Sequence, residues 1–114
     1  MPYIKVSTTA AVTPEQCERV KAKLGKAIES FPGKTESWLM VEIEGEKRMW
    51  FRGDASADTA MVDVDLLGNV APAASEKMTA AVCAILDAEL GIPAGRIYVK
   101  YTGYQNWGWN GSNF

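Results

Sequence analysis

Apolar and polar residues alternate from the second position onward. Pro2, Ile4 and Val6 take one phase and Tyr3, Lys5 and Ser7 the other, which is the period of a strand over residues 2–8. Thr13-Pro14-Glu15-Gln16 then opens a helix. Thr13 suits the cap, Pro14 the first turn, and Gln16 completes a capping box. Cys17, Val20, Leu24, Ala27, Ile28 and Phe31 recur at helical spacing and form one apolar stripe, with Cys17 directed at the core. Pro32-Gly33 stops the helix. Residues 37–43 are rich in strand formers, Glu44–Lys47 reads as a turn, and Met49-Trp50-Phe51 as a short edge strand.

The same order then repeats. From Thr59 to Leu67, Ala60, Val62, Val64 and Leu66 alternate with Met61, Asp63, Asp65 and Leu67. Residues 73–90 form a second amphipathic helix, with Ala74, Met78, Ala81, Val82, Ile85 and Leu86 inward. Gly91 is its C-cap and Pro93 lies just beyond. Residues 96–101 give a further strand. The chain therefore reads strand–helix–strand, link, strand–helix–strand, with no residue-level repeat. Each helix is long enough to cross over between parallel strands. The pattern gives a single domain over residues 1–114, an α/β sandwich with both helices on one sheet face. The other face has no cover of its own. Trp38, Met40 and Leu67 would sit near it, which points to an oligomer.

Composition narrows the chemistry. The formal charge is -2 and the pI about 5.1, without the basic excess of a nucleic-acid protein. No apolar run reaches the ~20 residues of a membrane span, and no signal peptide is visible. A cytoplasmic location is expected.

The chain has no histidine, so a Ser-His-Asp triad, a Cys-His pair and imidazole metal ligands are all excluded. Cys17 and Cys83 are too few and too far apart for a thiolate zinc site, and a reduced pair is expected. No metal and no organic cofactor are expected. The unperturbed groups that titrate near neutrality are the thiols, at ~8.5, and the α-amino group, at ~7.7–8. Both thiols fall on helices, Cys17 toward the core and Cys83 beside the other core stripe. That leaves the amino terminus. Removal of Met1 would expose Pro2, a secondary amine at the start of a strand. Burial or a nearby cation would lower its pKa and leave a free base at neutral pH.

Four segments occur together in order: Pro2-Tyr3-Ile4-Lys5-Val6, Phe31-Pro32-Gly33-Lys34, Gly91-Ile92-Pro93 with Arg96-Ile97-Tyr98, and Trp107-Gly108-Trp109-Asn110-Gly111-Ser112-Asn113-Phe114. The chain resembles, over its whole length, the macrophage migration inhibitory factor family of the tautomerase superfamily. The resemblance implies a homotrimer of β-α-β-β-α-β subunits, each a two-layer sandwich of two helices on a mixed four-stranded sheet. It implies Pro2 as catalytic base and Lys34 as the cation that binds a substrate carboxylate. The active site would lie between subunits, with Tyr98 supplied by the neighbour. Leu66 and Leu67 match the segment lining the pocket, and Trp107, Trp109 and Phe114 the aromatic tail that closes it. Trp38 falls at the pocket rim.

Two positions depart from the family pattern. Lys100 stands where several relatives carry Asn, on the same strand face as Tyr98, so a second cation would enter the pocket. The Cys-x-x-Cys of some relatives is missing, and no thiol-oxidoreductase activity is inferred.

Plainer roles compete with these. Lys34 would stabilise the end of the preceding helix by roughly 0.3–1 kcal/mol in any case. Tyr98 could equally be a packed strand aromatic. Asp63, Asp65, Glu42 and Glu44 read as solvated faces. Asn110-Gly111-Ser112 matches a glycosylation sequon, but without a signal peptide modification is not expected. The implied activity is keto–enol tautomerisation of phenylpyruvate-type α-keto acids, with dopachrome-type compounds as surrogate substrates. Two other readings remain. One is a cytokine-like ligand of a host immune receptor of the invariant-chain type, exported without a signal peptide. The other is a trimer with only a structural role.

Overall fold

Residues 1–114 are described by a computed structural model. The first strand, β1 (Pro2–Thr8), is followed by helix α1 (Pro14–Ala27). The Thr13 hydroxyl accepts from the Gln16 amide at 3.2 Å, and the Gln16 carboxamide accepts from the Thr13 amide at 2.9 Å. Two donors left orphaned at the helix start are thereby satisfied. The helix tightens into a 3-10 turn at Ile28–Ser30, which carries Ile28 into the core with Phe31 just beyond.

After a second 3-10 turn, Glu36–Trp38, come β2 (Met40–Glu44), β3 (Ala60–Leu67), α2 (Pro72–Leu90) and β4 (Ile97–Tyr104). Gly91 ends α2 at φ 69, a left-handed conformation glycine adopts without strain. The sheet order is β2-β1-β3-β4. Both outer pairs are parallel and the central β1–β3 pair is antiparallel, so the sheet is mixed.

Strand alternation splits the sheet into two unlike faces. Ile4 and Val6 of β1 and Val62, Val64 and Leu66 of β3 meet Val20 and Leu24 of α1 and Met78, Val82 and Leu86 of α2, all fully buried. Each such side chain contributes about 1.5–3 kcal/mol on leaving water. The opposite face has no covering layer in the chain. There Met40 is 68% and Tyr98 61% exposed.

Several local expectations are corrected. Residues 49–51 do not form an edge strand. Phe51 bridges only to Asp54 across a tight turn, with Arg52 at φ 54 and Gly53 at φ 78. The Arg96 guanidinium gathers the carbonyls of Asp54, Ala57 and Asp58, which draws this segment onto itself. Trp38 precedes β2 rather than lying in it. Cys17 is half-buried and borders a small hollow with Val41 and Ile43, outside the core. The last sheet strand extends to Tyr104, where Gly103 comes against Gly68. A Cβ on Gly103 would lie 2.2 Å from the Gly68 carbonyl oxygen, so the approach requires glycine. Finally, Gly108–Trp109 (β5) and Ser112–Asn113 (β6) pair as a hairpin. Asn110 and Gly111, at φ 52 and 88, form the two-residue turn that such hairpins favour.

Candidate active site

A cavity of about 770 Å³ opens at the head of β1. Met1, Pro2 and Tyr3 form one wall, Ser37 through Met40 with Glu42 another, and Trp107, Gly108 and Trp109 a third. Its aromatic walls are built by the tail. Trp38 meets Trp109 edge-on at 5.1 Å and Phe114 edge-on at 6.1 Å, while Trp109 and Phe114 stack at 6.0 Å. The Phe114 amide donates to the Trp107 carbonyl at 3.1 Å and closes the hairpin. Phe114 thus braces the wall without lining it.

Lys34 reaches the head of β1 from the loop after the first helix. Its ammonium donates to the Leu67 carbonyl at 3.0 Å, and the Leu67 amide donates to the Met1 carbonyl at 2.9 Å. The terminal ammonium, here that of Met1, is held down at about 6 against an ordinary 8.0. Burial contributes most and the Lys34 cation next, and both disfavour a second positive charge. A free amine beside a cation and a backbone N–H is a base positioned next to groups that can hold an anion.

The other candidate residues are dispersed. Leu66 does not line the cavity. It shares the inward phase of Ala60, Val62 and Val64 and is fully buried in the core; Leu67 takes the outward phase but does not line the cavity either. Tyr98 packs on Phe51 at 5.1 Å, and its register partner Met61 lies five residues from Leu66, the partner of Pro2. That separation is roughly 17 Å along the sheet. Lys100 pairs with Asp63 at 3.0 Å and lies three residues, ~10 Å, from the Pro2 level. One chain therefore does not bring Tyr98 or Lys100 to Pro2.

Sequence reasoning passed over Tyr3, Ser37, Met40 and Glu42 as cavity residues. Alternation does place Tyr3 and Glu42 on the outer face, but only the tertiary structure shows that the Tyr3 hydroxyl donates to Glu42 at 2.5 Å. Nowhere do three His, Cys, Asp or Glu side chains stand together as a metal would need.

A family model described as macrophage migration inhibitory factor (MIF) matches residues 1–114. A macrophage migration inhibitory factor of Xenopus laevis is 31% identical over 93 residues, covering 80% of each protein. The crystal structure of Leishmania major MIF2 superposes with a TM-score of 0.91 at 31% identity, over 100% of this chain and 97% of that one. The macrophage migration inhibitory factor of Toxoplasma gondii gives 0.89 at 26% identity, over 98% and 99%. The chain belongs to the macrophage migration inhibitory factor family and has the tautomerase-superfamily fold. Members of that superfamily are often isomerases and typically oligomeric.

Proposed function

We propose that this protein is a keto–enol tautomerase acting on phenylpyruvate-type α-keto acids, with the Pro2 amine as general base once Met1 is removed. The observation that carries the reading is that burial and Lys34 lower the basicity of an amine at this terminus, here that of Met1, at the head of an aromatic-walled cavity. Removal of Met1 places the Pro2 nitrogen at the terminus. It also takes away the Met1 carbonyl, freeing the Leu67 N–H that now donates to it.

In the reaction, Pro2 takes a proton from the carbon beside the ketone. The C–H electron pair becomes the enolate double bond, and the negative charge moves to the ketone oxygen. Protonation of that oxygen gives the enol and restores the amine. The Lys34 ammonium has three donors and spends one on Leu67, leaving capacity for the substrate carboxylate. The Trp38 and Trp109 rings suit an aryl group.

The working unit is a homotrimer. An uncovered sheet face supports this, as does the ~17 Å between Tyr98 and Pro2 in one chain, which a neighbour's β4 would bridge. Light scattering should give about three times 12.4 kDa. The activity test is enolisation of phenylpyruvate by protein whose intact mass shows loss of Met1. Turnover is expected. No turnover by Met1-free protein would overturn the assignment.

A further inference from the structure

The cavity is polarised end to end. The terminal amine, with Lys34 beside it outside the lining, lies at the head of β1, while Glu42 pairs in register with Lys5, three residues past Pro2. The two ends are therefore ~10 Å apart. Trp38 and Trp109 line the same cavity. The Glu42 end offers acceptors alone. The Tyr3 hydroxyl spends its one proton on Glu42 at 2.5 Å, which leaves oxygen lone pairs and a carboxylate.

No cation pairs with that carboxylate directly; its neighbour Glu44, which contacts it, takes the nearby lysines. Lys5 pairs with Glu44 at 3.4 Å, and Lys47 also pairs with Glu44. Lys100 is held by Asp63, and no ion pair includes Glu42. A carboxylate that lines an aromatic-walled cavity without an ion pair of its own favours a donor or a cation.

We propose that Glu42, for which the Tyr3 hydroxyl is the resident donor, forms a distal subsite for a positively charged or hydrogen-bond-donating group, so that the cavity prefers ligands with a carboxylate at one end and an ammonium about one ring-length away. This rests on the cavity being the substrate pocket, and it names the substrate class. The burden the Glu42 bond places on Tyr3 is consistent with it: the phenol is pushed up to about 12, mainly by its hydrogen bond to Glu42, and so stays protonated.

The test is calorimetric binding of two probes to the full-length, assembled protein: 4-(aminomethyl)benzoate and 4-methylbenzoate. No turnover is involved, so its outcome is separate from that of the tautomerase assay. Wild type should bind the ammonium compound about fivefold to tenfold more tightly, the range of one partly exposed charge-assisted contact. Glu42→Gln should reduce that ratio to about one. Tyr3→Phe removes a competitor for the same carboxylate and should keep or widen the preference. Should Glu42→Gln fail to fold, the wild-type ratio must still fall as salt is raised, because screening weakens the ion pair. The proposal is overturned if neither probe binds, if wild type shows no preference, if Glu42→Gln retains it, or if salt leaves it unchanged.

Discussion

The heads of β1 and β3 occupy matching places in the two β-α-β halves and have opposite fates. Each central strand runs parallel to an outer one, with Tyr3 beside Met40 in the first half and Met61 beside Tyr98 in the second. Before β3 the space is plugged. Arg96 donates to the Asp54, Ala57 and Asp58 carbonyls and to the Asp54 carboxylate, and it lies 5.4 Å over the Phe51 ring. Phe51 in turn packs on Tyr98. Before β1 the corresponding space is the cavity. A single topology thus gives either a filled structural corner or a pocket, depending on the segment preceding the strand. In the first half the side chains that would fill the corner are replaced by an amine, a cation and aromatic walls.

The comparison is broken most severely at its open end. Pro2→Gly keeps an amine but loses the ring that aims it. A kcat/KM loss of about 100-fold is expected with the trimer intact, since a positioned base contributes ~10²–10⁴. Undiminished turnover of phenylpyruvate would remove Pro2 from the mechanism. Lys34→Ala should raise KM for carboxylate substrates by about tenfold or more, in line with ~1.5–3 kcal/mol for a charged hydrogen bond. Esters of the same acids should lose less, and equal losses would contradict the carboxylate role. Gly103→Ala forces a Cβ against the Gly68 carbonyl and should destabilise the fold by about 2 kcal/mol, read as a lower melting temperature. The smallest effect is expected far from either strand head. Thr13→Ala removes one arm of the capping box and should cost ~1 kcal/mol without altering kcat/KM.

Local periodicity accounts for what was legible in the sequence. Both helices and the strands of both halves follow from it because each buries one face, and the Thr13–Gln16 cap is written in four adjacent residues. The parity that sends Leu66 inward was equally readable, since it shares the phase of Val62 and Val64. The tail hairpin had a signal too: Asn110-Gly111 is the dipeptide of a two-residue turn, but here it drew notice as a sequon. Other features depend on residues far apart in the chain. Tyr3 meets Glu42 across 39 positions and Arg96 meets Asp54 across 42, and no local pattern announces either. The distance between Tyr98 and Pro2 is likewise set by sheet register, which the sequence does not print.

The account rests on a terminal amine made weakly basic by burial and by Lys34. The most direct measurement is the pH dependence of kcat/KM for phenylpyruvate enolisation by Met1-free protein. A base works unprotonated, so activity should be low in acid and rise with pH through an apparent pKa below the ordinary α-amine range, because the burial and the Lys34 cation that lower the Met1 amine also stand beside Pro2. Lys34→Ala removes a repelling cation and should move that limb to higher pH. A profile that is flat, or that rises only above the ordinary α-amine range of ~7.7–8, would contradict the account, because neither burial nor Lys34 would then be acting on the catalytic base.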